Sequence, residues 1–571
     1  MAIGGGYRPH ILRVDLEQGS IDRQPLPDEA ILRRYVGGTG LGLYFLLKNA
    51  PPQAAATDPD APLIFAVGPL TGTPAVNSTD WTTVCFNLLV PYSVGIGHGH
   101  GFFGAYLKLA GHEGIYLTGV SERPCYLWID DGHVELRDAG HLWGLDTRET
   151  ERRLKIELGD ETNISVACIG PAGEAQLPGA MVKADRNHGS GKGSPGAVMG
   201  SKNLKAIAVH GTGVVPLSDA PAVVDLAADW EESLIAGGQG PAVPLALGVQ
   251  NGAVTRSGAG ARTKAKPAWG SELGRKYVEA CRRWRVTSRP SYNCKIDCTY
   301  DVEITDGPLS GYVGSPRGGA ENTDGICAVI GVDDPAVAVV MTDFFEGMGV
   351  ESNLFGTVME SMYRAFAEGV LTPEDTDGLD LTWGNWESAM ELVRKAVRME
   401  GIGARLVNES KALPETLDGE KGVLEKMGSR LLEIDHEDCL GVDEVRESQY
   451  ASLFYDTLGV CNFGIKGVPE ALRITSESLA RTVGWDGFDT VEALQVGERL
   501  TNLMRLAYAR RGFLKENEFE VSIGRSEPQH PPARTDAYYR QMGWDVGSGR
   551  PTAETLARLG MDEFIEDPIT R

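Results

Sequence analysis

The chain has 571 residues, 42% hydrophobic and 23% charged, proportions that exclude wholesale disorder or a fibrous repeat and allow about three to four domains. With 54 basic and 79 acidic residues its net charge is -25, which repels phosphate backbones and argues against a nucleic-acid partner. No stretch reaches the about 18 uninterrupted apolar residues of a membrane span, and Met1 to Gly6 lacks an export signal, so a cytoplasmic protein without a membrane partner is expected.

Along the chain, Ile11 to Leu16 reads as a strand, Gln18 and Gly19 as a turn, and Ile21 onward as the returning strand. Leu63 to Val67 is an apolar run ending at a glycine, the pattern of a buried strand. Asp130-Asp131-Gly132 turns Tyr126 to Ile129 into Val134 to Leu136. A helix is predicted over Thr147 to Leu158, and buried strands over Ile164 to Ile169 and Leu204 to His210. Gly211-Thr212-Gly213 and Pro216 close this region. Beyond them, apolar residues recur at three and four residue intervals over Ala336 to Phe345, Leu354 to Phe366, Trp386 to Met399 and Val491 to Ala509. The predicted fold class is α+β: a β-rich domain over 1–212, then two mainly α-helical domains over 213–416 and 417–571. No repeat of fixed period is visible.

Two glycine-rich segments suggest close backbone approach to a ligand. Gly97-His98-Gly99-His100-Gly101-Phe102-Phe103-Gly104 contains G-x-G-x-x-G, but Pro91 and Tyr92 break the approach and a βαβ start is missing, so a dinucleotide site is not predicted. Gly189-Ser190-Gly191-Lys192-Gly193-Ser194-Pro195-Gly196 puts Gly193 where a Walker loop needs Ser or Thr. Its amides and Lys192 suit an anionic group, and a tight glycine turn is an equal reading. Gly101, Gly104, Gly191, Lys192 and Gly193 are therefore candidates for holding one shared ligand.

Nine cysteines without dense spacing fit a reduced compartment. Cys294 and Cys298 can face one metal with Cys461 as a distant third, although two buried cysteines on a helix are the commoner meaning of that spacing. His98, His100 and His112 have no carboxylate or thiol at zinc spacing.

Together these segments resemble the aldehyde ferredoxin oxidoreductase family along essentially the whole chain. The likeness is carried by Tyr35-Val36-Gly37-Gly38-Thr39-Gly40-Leu41-Gly42, Gly68-Pro69-Leu70-Thr71-Gly72-Thr73, Ile169-Gly170-Pro171-Ala172-Gly173-Glu174 and Gly196-Ala197-Val198-Met199-Gly200-Ser201-Lys202-Asn203-Leu204. The resemblance implies tungsten, or molybdenum, between two pterin dithiolenes beside a four-iron iron-sulfur cluster. It further implies an aldehyde or related carbonyl substrate, ferredoxin or another electron-transfer protein as partner, and a homodimer. Two pterin segments of D-x-x-G-L type correspond to Glu346 through Gly349 to Glu351, and to Asp456 through Gly459 to Cys461. The family's C-x2-C-x3-C falls on Ser291, Cys294 and Cys298, so with Cys461 these are the expected cluster residues and a hydroxyl stands where one thiolate is expected; ligation by Ser291 or water, a three-iron form and loss of the cluster are the alternatives, with Cys281 and Cys327 as conceivable substitutes. Asn77-Ser78-Thr79-Asp80-Trp81 stands where the family carries an arginine, and Lys192 where it carries another. Glu321 is the candidate proton acceptor, with His436 as the alternative. Tyr292-Asn293-Cys294 is similar to family members that reduce aromatic acids or CoA thioesters, and the missing thiolate opens a third reading, a binding or assembly subunit without electron transfer. Arg282, Arg283 and Arg285 offer a basic patch to an acidic electron-transfer partner.

Overall fold

The structure, a computed structural model, describes residues 4–238, 268–296, 298–316, 323–412, 442–515 and 532–565. Glu321 and His436 lie outside them.

Residues up to 210 form two six-stranded sheets. The first holds β1 (His10–Asp15), β2 (Ser20–Pro25), β3 (Leu63–Val67), β4 (Trp81–Phe86), β5 (Val94–Gly99) and β6 (Gly114–Thr118) in the order β2-β1-β6-β3-β4-β5. The second holds β7 (Cys125–Asp130), β8 (His133–Asp138), β9 (Ile164–Ile169), β10 (Val182–Ala184), β11 (His188–Ser190) and β12 (Leu204–His210) in the order β8-β7-β12-β9-β10-β11. Each sheet opens with a hairpin, pairs the hairpin's first strand parallel to its last strand, and pairs that last strand antiparallel to its third. The domain is thus duplicated in topology. A periodic search misses this because strand pairing asks only for apolar pleats of suitable length, and the connections between corresponding strands differ. β3, β4 and β9 are buried along their whole length, as expected of strands covered on both faces.

A small antiparallel sheet, β13 (Arg285–Ser288), β14 (Tyr300–Glu303) and β15 (Val313–Gly314), follows, and the rest is mainly helical, so the predicted α+β class holds. Each six-stranded sheet has its own helical partners. Val442–Leu458, Ala471–Val483 and Thr490–Arg510 bury Phe454, Leu479 and Leu500 in one core with Phe65, Trp81 and Val84 of the first sheet. Pro335–Met348, Ser352–Ala367 and Trp386–Val397 bury Met341, Met362 and Val393 with Ala172, Leu177 and Ala197 from beside the second sheet. Capping sets where these helices begin: Asp334, Glu351 and Asp489 each accept a backbone N–H of the first turn.

His112, just before β6, gives a pH test of this packing. Its Nδ1 lies 3.1 Å from Nε2 of His10, and burial first, then the charge of His10, pushes its pKa down to about 4. The fold therefore prefers the neutral ring. That preference is complete above the ordinary value of 6.5 and is lost as pH falls toward about 4. Denaturant unfolding of the parent and His112→Asn between pH 6.5 and 4 should show a shallower loss of stability in the variant; parallel slopes would refute this role.

Candidate active site between the two sheets

The outer strands β5 and β11 bring the two glycine loops together. A side chain at Gly95 would put Cβ 2.6 Å from Cα of Gly193, and one at Gly97 would put it 2.2 Å from Oγ of Ser190. Oγ1 of Thr83 and Oγ of Ser190 share a 2.5 Å hydrogen bond across the seam. Contrary to the sequence reading, a strand does lead into G-x-G-x-x-G, because the break at Pro91 and Tyr92 precedes β5 and does not interrupt it. Gly97 and Gly99 lie inside that strand. At the turn that follows, Phe102 donates its N–H to Oδ2 of Asp185 at 2.6 Å, so the amide that would meet a pyrophosphate faces a carboxylate. Burial first, then the charge of Glu151, pushes the pKa of Asp185 up to about 6. Gly104 packs against the backbone of Asp80, 3.0 Å from where its Cβ would lie.

The two helical groups each deliver a glycine-ended segment to the equivalent place on their sheet. Gly68 follows β3 and Gly170 follows β9. A Cβ at Gly68 would lie 2.1 Å from the carbonyl carbon of Leu458, and one at Gly170 would lie 2.5 Å from the oxygen of Met348. Gly459 and Gly349 both turn the chain at positive φ, 83° and 77°. Leu70 N–H donates to Leu458 O at 2.9 Å and Asp80 N–H to Gly459 O at 3.1 Å; on the other half Met181 N–H donates to Gly349 O at 2.7 Å and Glu351 N–H to Gly179 O at 2.8 Å. Asp456 and Glu346 therefore occupy matching positions just before the two turns.

Their surroundings differ. Glu346 is buried and ion-paired with Lys183, also buried. Glu351 accepts from Leu354 N–H at 2.7 Å and meets Lys192 at 3.1 Å, with Lys192 68% exposed. Nearby in the chain, Asn187 buries both Oδ1 and Nδ2 with no hydrogen-bond partner among the described residues. A buried amide of that kind implies a polar ligand or ordered water.

Ser291 to Ile296 form a loop after β13, not a helix. The left-handed backbone of Asn293, φ 45°, interrupts one. Asn77 ties this loop to Cys461: its N–H donates to Asn293 O at 3.2 Å, its Oδ1 accepts from Lys295 N–H at 2.8 Å, and its O accepts from Cys461 N–H at 2.9 Å. Cys461 is buried, while Cys294 and Cys298 are half-buried against the main core. Burial, followed by the charges of Cys298, Asp80 and Cys294, raises the Cys461 thiol well above its ordinary pKa. The structure thus brings these three thiols into one neighbourhood. Cys281 packs with Tyr277 and Trp284 beside the small sheet, and Cys327 lies in the core of the middle helices, so neither joins them. Oγ of Ser291 shares a 3.1 Å hydrogen bond with Nε2 of His188.

One polar chain was not read from the sequence. β4 and β5 pair with Trp81 opposite Gly99 and Thr82 opposite His98, which sets Asp80 beside both loop histidines. Oδ2 of Asp80 lies 2.8 Å from Nδ1 of His98 and Oδ1 lies 2.7 Å from Nδ1 of His100. Nε2 of His98 is 3.7 Å from Oδ2 of Asp456, and Nε2 of His100 is 3.8 Å from Sγ of Cys461. A continuous row therefore runs Asp456, His98, Asp80, His100, Cys461. Burial disfavours a charge on His98, but Asp80 and then Asp456 outweigh it and raise the pKa to about 9. Burial likewise opposes ionisation of Asp80 and is overcome by His98 and His100, leaving its pKa lowered. Asp456 is raised by burial, with His98 opposing and Asp80 adding. The signal available in the sequence was the hairpin register, which places a carboxylate opposite the histidines although no ligand spacing shows it.

A duplicated sheet domain, receiving one glycine-turned carboxylate segment on each half beside a group of cysteines, defines the class of protein. The family model described as "Aldehyde ferredoxin oxidoreductase, N-terminal domain" matches residues 11–211, and "Aldehyde ferredoxin oxidoreductase, domains 2 & 3" matches 261–444 and 440–561. The chain belongs to the aldehyde ferredoxin oxidoreductase family and is an oxidoreductase. It is 29% identical to a tungsten-containing aldehyde ferredoxin oxidoreductase of Pyrococcus abyssi, over 98% of this chain and 100% of the relative. It is 25% identical to an aliphatic sulfonate oxidoreductase, WOR-like subunit, of Pyrococcus furiosus, over 98% and 97%. Its fold matches that of the active site complex BamBC of benzoyl coenzyme A reductase in complex with 1,5 dienoyl-CoA, with a TM-score of 0.81 and 24% identity over 99% of both chains. Among the described residues no helix is long and apolar enough to cross a membrane.

Proposed function

We propose that this chain is a tungsten, or molybdenum, bis-pterin oxidoreductase that acts on an aldehyde or related carbonyl carbon and passes electrons through an iron-sulfur cluster held by Cys294, Cys298 and Cys461. The observation that carries the reading is the meeting of the two glycine-turned segments at equivalent places on the two sheets, with the three thiols at the Asp456 side. The residues suit such a group: glycines keep the seam clear of side chains, and Asn187 presents a buried donor and acceptor without protein partners among the described residues. When bound, the metal-pterin supplies the two-electron chemistry at the carbonyl carbon.

In this reading Asp456 and Glu346 accept N–H bonds from the two pterin edges. Gly191, Gly193 and Lys192 face anionic groups. Asp80 fixes the ring of His98 and lies beside that of His100, and His98 holds a proton toward Asp456. Glu321, with His436 as the alternative, remains the proposed proton acceptor on sequence grounds. The proposed partner is ferredoxin or another electron-transfer protein. Arg283 and Arg285 pair with Asp306 and Glu303, so a docking face there is mixed in charge and not purely basic. Tyr292, part of the motif that suggested reduction of CoA thioesters or aromatic acids, is used structurally: its hydroxyl donates to Gly72 O at 3.1 Å and its N–H to Gly101 O at 3.1 Å.

Anaerobically purified protein should contain tungsten or molybdenum together with iron, and should oxidise aldehydes with an artificial electron acceptor. Absence of both heavy metals would favour the non-redox subunit. Lys192→Gln gives a narrower test. Because the exposed pair with Glu351 contributes under about 1 kcal/mol, the melting temperature should hardly move, while pterin retention on dialysis should fall. Unchanged retention would remove Lys192 from the ligand site.

A further inference from the structure

We propose that Ser291 is the fourth protein ligand of the cluster, binding iron through Oγ, with His188 as the positioning residue that holds this oxygen. The inference rests on the cluster reading above. Three observations carry it. The loop that would present a thiolate at 291 is firmly seated: Cys294 N–H donates to Ser291 O at 3.2 Å, Tyr292 N–H donates to Gly101 O at 3.1 Å, and Asn77 bonds both Asn293 and Lys295. Ser291 is buried, and its Oγ meets Nε2 of His188, also buried, at 3.1 Å. No other thiol takes the place, since Cys281 and Cys327 lie in separate cores.

A buried hydroxyl at this position has a cost that alanine, of nearly the same size, would avoid. A serine left to itself is a poor ligand because it keeps its proton, but a metal ion acidifies an oxygen bound to it, as it does water. As the iron–oxygen bond forms, the O–H bond breaks, the proton passes to solvent water, and no electron moves. Nε2–H of His188 then donates to the oxygen, which supplies the hydrogen bond that a buried anionic ligand requires. The strands set this ring in place. His188 pairs with Ala184 across the β10–β11 hairpin and stands edge-on to His100, ring centres 6.2 Å apart. Oxygen is a harder donor than thiolate, so the iron at Ser291 is the one most easily lost.

The full-length protein, purified without oxygen, would be compared with Ser291→Ala, Ser291→Cys and His188→Ala for iron content, electron paramagnetic resonance and release of iron to a chelator, with circular dichroism confirming that each is folded. Labelling with nitrogen-15 histidine and water enriched in oxygen-17 identifies any ligand other than serine. The expected parent has a four-iron cluster with neither isotope directly bonded. Ser291→Ala should fall to a three-iron form or take up a bonded oxygen-17 water, and Ser291→Cys should keep a four-iron cluster that resists the chelator longer than the parent's. His188→Ala, which leaves the hydroxyl in place, should release iron about 10–100 times more readily, whereas an unchanged rate would overturn the role of His188. Directly bonded water or histidine in the parent, a parent already in the three-iron form, a parent without iron beside a loaded Ser291→Cys, or a Ser291→Ala spectrum identical to the parent's overturns the assignment to Ser291 and leaves the proposed function intact. A folded parent and a folded Ser291→Cys that both lack iron overturn the cluster itself.

Discussion

Cys461→Ala is expected to yield a folded protein without a stable cluster and with aldehyde oxidation reduced to background. The side chain is small and buried, so the loss of packing should reduce stability by only about 1–2 kcal/mol. The local backbone has independent support, because the bond from Cys461 N–H to Asn77 O survives the substitution. Iron analysis, circular dichroism and a dye-linked assay on the same preparation separate the two effects. Full iron with normal activity would show that Cys461 is only a core residue. Unfolding, by contrast, would mean that the segment depends on its sulfur for stability, which its present hydrogen bonds do not suggest.

Gly193→Val should have the largest effect on the fold itself. Gly193 has a φ of 88°, where a branched side chain is strained, and its Cβ would approach Cα of Gly95 to 2.2 Å. No flexible neighbour can yield at that point, since the obstacle is the backbone of the facing strand. Strain at positive φ and overpacking together are expected to lower stability by about 2–5 kcal/mol. Chemical denaturation checks the figure, and a change below about 0.5 kcal/mol would place Gly193 among ordinary surface positions. Metal-pterin content should fall even at temperatures where the variant stays folded, because the wedge parts the two glycine loops.

Much of the architecture was legible because it follows local periodicity. Leu63–Val67, Ile164–Ile169 and Leu204–His210 are mostly apolar runs, and the strands have these bounds. Thr147–Leu158 begins at the Asp146 cap and stops at the left-handed Gly159. The candidate site was legible only where it lies in short motifs. Cys294, Cys298 and Cys461 could be grouped by resemblance, but spacing alone suggested a helix that the left-handed Asn293 interrupts. The pairing of Asp80 with His98 and His100 depends on which residues of β4 and β5 face each other, a property of register and not of sequence distance. The same limit hid the duplication of the sheets. Their likeness lies in pairing order, which very different side chains can satisfy.

Asn77 has a further meaning for how the molecule is made. Its side chain joins it to Lys295, 218 positions away, and the adjoining Thr71 reaches across 388 positions to Gly459. Contacts of such separation form late, after the loop-closure entropy of hundreds of residues has been overcome. On the ribosome the two sheets are complete before either cysteine segment has emerged, so the first domain must wait with its seam facing water or a chaperone. The cysteine segments are therefore the last parts of this site to be laid down.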